Sequence, residues 1–131
     1  MTDSIKITAK LTVTRERISD LLCTAFEGGS NYWIGGIEYI VPDNPTFRPT
    51  YNGSIYPKYL WVPLNEGGTT KIRPDGSPLW HHLGLLQIAA GLRLLASEYP
   101  NHWRSFMTEN EDAATGDLFL QLCLFGEATF A

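Results

Sequence analysis

The chain begins with a regular alternation of apolar and polar residues. Within residues 4–13 the apolar side chains occupy every second position: Ile5, Ile7, Ala9, Leu11 and Val13. A period of two places them on one face, which predicts a half-buried strand. Thr14 follows as the predicted N-cap of a helix, because apolar residues recur at helical spacing from there to Phe26. The pair at 28–29 predicts a left-handed glycine stop for this helix.

The middle of the chain shows strand and loop patterns. Residues 31–41 are rich in aromatic and β-branched residues, and glycines at 35–36 predict a bulge or a close approach by another backbone or a ligand. Residues 42–58 contain four prolines, so we expect a long irregular loop of a kind that is often functional or wraps a partner. Residues 59–64 and 69–73 then predict a hairpin, joined by the glycine-containing stretch between them.

The last part of the chain is predicted to be helical. Residues 79–98 are apolar almost all round and follow a serine-proline cap at 77–78, which predicts a central helix. Gly84 and Gly91 are seven residues apart on this helix, where they would let another element approach closely. Pro100 predicts a short helix to about residue 107. A final helix is expected to start at Asp112 or Thr115.

The predicted order of elements is β-α-β-β-β-α-α-α. Strands early and helices late favour an α+β fold, with an antiparallel sheet of about four strands, an N-terminal helix and a C-terminal helical half. A chain of 131 residues is long enough to bury a sizeable core without a metal or a disulfide. We therefore expect a single domain over residues 1–131.

The bulk composition narrows the functional classes. With 44% hydrophobic residues, 18% charged residues and a formal charge of -4, the chain lacks the basic excess of a non-specific binder of DNA or of membrane surfaces. This charge balance does not exclude a pocket in which two or three local cations hold a phosphate. Cys23 and Cys123 lie in apolar helical stretches, so we expect buried free thiols. No apolar run is long enough to span a membrane and the N-terminus lacks a signal pattern, which predicts a cytoplasmic location.

Catalytic chemistry finds little support in the sequence. Adjacent histidines at 81–82 diverge on a helix and cannot chelate one metal together. Ser30 in GGSNYW lacks the context of a nucleophile and fits a helix stop better, and the acidic residues of 109–117 fit a solvated loop with helix caps. We expect no metal and no cofactor. An enzyme that uses His102 and Asp112 is the weakest of three functional hypotheses.

A binding role has more support. Arg93 lies on an otherwise apolar helical face, where it either extends to solvent or presents its guanidinium to a carboxylate or phosphate. Aromatic residues are dense around the strands, and each alone suits a core, whereas together with nearby cations they could stack a base or form a protein interface. In the ligand-binding hypothesis Arg93, Arg73 and Lys71 meet phosphates, Trp33, Tyr32 and Trp61 stack the base, and Asn31 reads an edge.

Two segments also carry a family resemblance. AFEGGSNYW at 25–33 and DAATGDLFLQLCLFGE at 112–127 together resemble the hallmark blocks of a family of small proteins of tailed bacteriophages and prophages. Residues 83–98, followed by YPNHW, resemble its central block. The resemblance implies no catalytic role for any residue of this chain. It implies a phage accessory protein that acts in the host bacterial cytoplasm.

The resemblance and the residues together suggest two main functions. The first is an anti-defence protein that sequesters a small nucleotide-derived signalling molecule without catalysis, as a homo-oligomer. The second is a protein–protein inhibitor of a host defence protein, or an assembly factor, with its contact surface in residues 42–61.

Overall fold

A computed structural model describes residues 3–5 and 10–131. Its regular elements are the helices α1 (Arg15–Thr24), α2 (Leu85–Glu98), α3 (Pro100–Met107) and α4 (Ala113–Phe125), and the strands β1 (Ile34–Ile40), β2 (Thr50–Tyr51), β3 (Ser54–Ile55), β4 (Thr69–Pro74) and β5 (His81–Leu83). Helices and a small antiparallel sheet make this an α+β fold, as predicted.

The sheet has three antiparallel strands in the order β1-β4-β5. Thr70, Ile72 and Leu83 point into the core from one face, because residues two apart on a strand share a side. The opposite face, with Lys71, is partly open to solvent. β2 and β3 form a separate two-stranded hairpin inside the 42–58 loop, with a turn at 52–53 in the left-handed region. That loop is otherwise irregular, as predicted.

Helix α4 is the centre of the core. It packs against α1 and α2, and Phe119, Leu120 and Leu122 are essentially fully buried. Burial of each such side chain stabilises the fold by about 1.5–3 kcal/mol. Gly91 allows the contact with α2, since a Cβ there would lie 2.3 Å from Cys123 Sγ. This close approach confirms the role expected for that glycine.

The N-terminal predictions are only partly testable. Residues 6–9 of the predicted strand 4–13 lie outside the described residues, and its remaining residues are not in a strand. Ile5 is 88% exposed and Leu11 61% exposed, so the described part of the alternation does not form a buried face. Helix α1 begins after Thr14, whose hydroxyl accepts from the amide of Arg17, which confirms the predicted cap.

The predicted left-handed stop at residues 28–29 is wrong. The chain leaves α1 through a wide π-helical turn, Ala25–Gly29, and Gly28 has a φ of 171°, which is extended backbone. Glycine is needed at position 29 for another reason. A Cβ there would lie 2.2 Å from the carbonyl oxygen of Ala113 at the start of α4. Tertiary contact, not local conformation, therefore sets the requirement.

The predicted hairpin over 59–64 and 69–73 is also wrong in its first half. Residues 58–60 and 62–64 form two short 3-10 turns instead of a strand. Every residue from Leu60 to Asn65 is buried, whereas an edge strand exposes alternate side chains. β4 pairs with β1 and β5, and the bulge predicted near residues 35–36 is confirmed by a register shift in β1.

The central helix starts later than predicted. Residues 81–83 form β5, which pairs with β4 through Leu83, opposite Thr70. Helix α2 begins only after Gly84, whose amide donates to Gln87 Oε1 at 3.0 Å. β5 completes the side of β4 that β1 does not cover. This tertiary pairing, which no local pattern of residues 79–83 indicates, moves the start of the helix to Leu85. The two later helices begin as predicted, at Pro100 and after Asp112.

Both cysteines are free thiols. Cys123 is buried and Cys23 is half-buried. Burial, together with a hydrogen bond to Glu27, raises the pKa of the Cys23 thiol to about 11. In the described part of the chain, no helix has both the length and the apolar character needed to cross a membrane.

Candidate functional site

The residues that the sequence singled out for ligand binding lie in four separate places. Tyr32 and Trp33 lie at a polar cluster around the carboxylate of Asp117. Its Oδ1 accepts from the Trp33 indole at 2.7 Å and from the Ser30 hydroxyl at 2.8 Å, and its Oδ2 accepts from the Tyr32 hydroxyl at 2.7 Å. Desolvation and the hydrogen bond to Asp117 raise the pKa of Tyr32. The cluster ties the turn after α1 to α4.

The C-terminal segment covers the Trp33 ring. Phe130 stacks on it with ring centroids 5.1 Å apart and an interplanar angle of 7°. The Gln121 side chain holds this segment, since its Oε1 accepts from the amides of Thr129 and Phe130, each at 2.7 Å. Trp33 is only 3% exposed as a result. It is a core residue here, while Asn31 and Tyr32 are exposed beside it.

Trp61 is likewise a core residue. It is 3% exposed, and its indole donates to the carbonyl of Tyr56 at 3.0 Å. The neighbouring Asn65 amide anchors the start of the 42–58 loop through the backbone of Thr46 and Phe47. Neither Trp33 nor Trp61 presents its ring to solvent, so the base-stacking role expected of them finds no open surface in this structure.

Lys71 and Arg73 lie together on the open face of the sheet, against Trp80. The Lys71 ammonium and the Arg73 guanidinium are each 5.5 Å from the centre of the Trp80 ring. Arg73 also donates to the carbonyls of Gly35 and Ser77, both at 3.1 Å. These contacts use much of its donor capacity within the chain and hold the 74–77 turn against β1.

Arg93 lies in a groove between residues 10–13, α2 and α3. The groove has a volume of about 720 Å³ and is lined by Lys10, Leu11, Val13, Ala89, Leu92, Arg93, Ala96, Ser97 and Trp103. Arg93 is exposed. Over the described ranges 3–5 and 10–131, no carboxylate lies within 4.0 Å of its guanidinium.

The spacing along α2 produces this groove. Ala89, Arg93 and Ala96 are separated by four and three residues, so they share one face of the helix. The two small side chains leave the arginine standing in a depression, with the half-buried Trp103 of α3 at its side. Lys10 adds a second cation. Ligand sites commonly have volumes of about 300–1,000 Å³ with mostly apolar walls and a few polar groups, and this groove fits that description.

The His102 and Asp112 region has a structural explanation. Asp112 caps α4 by accepting from the amide of Thr115 at 2.9 Å, and the Thr115 hydroxyl contacts His102 Nδ1 at 2.8 Å. The backbone hydrogen bond from Thr115 lowers the pKa of Asp112. The three side chains therefore join α3 to the start of α4. Across the described residues, no three His, Cys, Asp or Glu side chains group as metal ligands.

Of the groove residues, only Arg93 is a ligand candidate from the sequence. Lys10 is a polar position in the alternation of residues 4–13, and Trp103 ends the segment YPNHW; neither has a local signal of ligand binding. The periodicity of α2 identifies one wall of the groove, whereas the other walls come from segments distant in sequence. No protein-family model, curated protein or solved structure matches this chain.

Proposed function

We propose that the protein binds a small nucleotide-derived anion in the Arg93 groove and releases it unchanged. The observation that supports this proposal is that Arg93 and Lys10 both line the groove, which has a volume of about 720 Å³ and also contains Trp103. Two cations suit phosphate oxygens, and an aromatic ring with apolar neighbours suits a flat base.

Arg93 is the best placed of the predicted phosphate ligands. Arg73 donates to two carbonyls of its own chain, and Lys71 lies 3.4 Å from the carboxylate of Glu38. Arg93 has no such carboxylate partner in the part of the chain that the structure describes. A guanidinium with free donors can form a bidentate contact with a phosphate. The proposal therefore assigns the principal anion contact to Arg93.

The biological setting of the proposal comes from the resemblance of residues 25–33 and 112–127 to small tailed-phage proteins. A phage protein that captures a nucleotide signal would act against host defence by lowering the free concentration of that signal. Such a role needs tight binding and no chemical step. A groove with cations and an aromatic ring can supply such binding without catalytic groups.

The first experiment is mass spectrometry of small molecules released by heat from protein purified from a signal-producing host. We expect a phosphate-containing nucleotide derivative in its intact form. Thermal-shift and calorimetric titrations with cyclic dinucleotides and cyclic ADP-ribose isomers then identify the class. Release of a converted molecule would instead indicate an enzyme, and no bound nucleotide from any such host would refute the proposal.

A pair of matched variants ties binding to the groove. Arg93→Gln is expected to weaken binding by about tenfold or more, since hydrogen bonds to charged groups contribute about 1.5–3 kcal/mol each. Arg104→Gln makes the same charge change at another exposed arginine, on α3 and outside the groove lining, and should bind as the parent does. Equal affinities for both variants would exclude the groove as the site.

A second candidate function is contact with a host protein through the β2–β3 hairpin. Residues 52–55 are exposed, and Ile55 is an exposed large apolar side chain at 47%. Replacement of residues 50–55 by a short glycine-serine turn leaves the Asn65 anchor at Thr46 and Phe47 intact. If this function is correct, the change abolishes co-purification of the host partner without lowering the melting temperature by more than a few degrees.

A further inference from the structure

The outer edge of β1 is an exposed strand edge. Strand β1 packs chiefly against β4, and among the described residues no strand pairs with its other side. Ile37, Ile40 and Val41 are large apolar residues with exposures of 37%, 50% and 46%. Long apolar edges invite pairing with another chain unless charges or bulges prevent it. Glu38 is the one charged residue of β1. The bulge of β1 lies between Ile34 and Gly36, and the strand pairs regularly with β4 from Gly36 to Ile40.

We propose that β1 pairs antiparallel with β1 of a second copy of this chain, with Ile37 opposite Ile37 of the partner subunit. This register places a two-fold axis midway between the two β1 strands, beside Ile37, and forms a continuous six-stranded sheet. The proposal is independent of the ligand groove, which lies on α2, α3 and residues 10–13.

Charge complementarity selects this register. Around Ile37, residues whose numbers sum to 74 face each other, so Glu38 lies opposite Gly36 of the partner subunit. Within one chain Gly36 pairs with Arg73 of β4. The Arg73 side chain lies over this glycine, since a Cβ at position 36 would be 3.1 Å from Arg73 Nη2. The guanidinium reaches the carbonyl of Gly35 on β1 itself. It therefore lies next to the position that an incoming Glu38 carboxylate would take.

Both faces of the strand fit this pairing. Gly36, Glu38 and Arg73 share the open face of the sheet, because Glu38 pairs with Lys71 and Gly36 with Arg73 on the adjacent strand. Ile37 pairs with the buried Ile72, so it lies on the core-facing side. The axis thus brings two half-exposed isoleucines together on one face. On the other face each Glu38 lies opposite Gly36 of the other subunit, about 4.5–5.5 Å away. Arg73 lies one strand beyond Gly36, on β4. The Glu38 and Arg73 side chains therefore meet across the glycine, which has no side chain to separate them.

Cysteine cross-linking tests the register directly. In a Cys23→Ser background, Ile37→Cys places two thiols opposite each other at the axis, so a short bismaleimide should cross-link the chain efficiently. Ile40→Cys is the matched control on the same strand. In this register its two copies are six residues apart along the strand direction, or about 20 Å, and should not be cross-linked by the same reagent.

A charge reversal tests the complementarity. Glu38→Lys should raise the dimer dissociation constant, measured by sedimentation velocity, by at least about tenfold, because Lys71 and Arg73 then face a third cation. Glu66→Lys makes the same charge change in the exposed loop before β4 and should leave the dimer intact. Circular dichroism and melting temperature confirm that each variant is folded.

Three outcomes overturn the proposal. The parent protein sediments as a monomer at the highest soluble concentration, or Ile40→Cys cross-links as readily as Ile37→Cys, or the dimer persists unchanged in Glu38→Lys. The first excludes the contact, the second the register, and the third the contribution of Glu38.

Discussion

Replacement of Asp117 by alanine should be among the most destabilising changes in this protein. The carboxylate accepts hydrogen bonds from the Trp33 indole and the Ser30 hydroxyl, both of which belong to buried residues. Alanine would leave these two donors buried and without their acceptor, at about 1–3 kcal/mol each. Gln121 Nε2 also donates to the carboxylate, at 3.1 Å, but it keeps the Phe130 carbonyl as a second acceptor. The Tyr32 hydroxyl is on an exposed residue, so water can replace its partner. The expected loss in the free energy of unfolding is therefore about 2–6 kcal/mol.

Urea denaturation, followed by circular dichroism, measures this loss. Two matched variants separate the buried donors from the exposed one. Asp117→Asn keeps one oxygen to accept from Trp33 and Ser30, and should cost less than half as much as Asp117→Ala. Tyr32→Phe removes only the exposed hydroxyl, and we expect a change below about 1 kcal/mol. If alanine and asparagine at position 117 give the same stability, or if alanine is neutral, the cluster does not stabilise the fold as argued.

The other predictions concern packing and pH. Gly116→Ala should lower the free energy of unfolding by about 1–3 kcal/mol or more, because the added Cβ would lie 1.9 Å from Thr24 Oγ1. Gly28→Ala is the control, since a Cβ at position 28 meets nothing within 4 Å. Thermal melts that rank Gly28→Ala as the more damaging change would contradict the close packing at Gly116. Desolvation raises the pKa of Glu111, but hydrogen bonds and the charge of Arg17 outweigh it, so the folded-state pKa lies below the usual 4.5. The stabilisation is therefore fully present above pH 4.5 and is lost as the pH falls through the folded-state value. Melting temperatures from neutral to acidic pH should fall less steeply for Glu111→Gln than for the parent, and parallel curves would refute this assignment.

Local signals were sufficient for some elements and not for others. Pro100 and Asp112 start their helices because proline suits a first turn and an aspartate can accept from the amide three residues later. Such signals act within a few residues. Residues 60–65 are buried without exception and form 3-10 turns, and that outcome depends on the elements which surround them. No local pattern contains this information.

The candidate site also combines a feature that local sequence predicts with features that depend on tertiary contacts. The helical spacing of Arg93 with Ala89 and Ala96 places the arginine on a face of small residues, which is visible in the sequence. Lys10 and Trp103 join that face only because residues 10–13 and α3 pack beside α2. Trp33, which the sequence suggested as a base-stacking residue, is buried for a related reason. Phe130, almost a hundred residues later, covers its ring.

Residues 25–33 and 112–127, on which the proposed phage setting rests, contact each other directly. Gly29 fits against Ala113, Gly116 fits against Thr24, and the Asp117 carboxylate accepts from Trp33. The polar side chains of Ser30, Tyr32, Trp33 and Asp117 are therefore used to join the turn after α1 to α4. Arg93 and Lys10, which are proposed to hold the ligand, lie outside both segments. A chain with the same two segments should thus share this packing, whatever residues stand at the positions of Arg93 and Lys10.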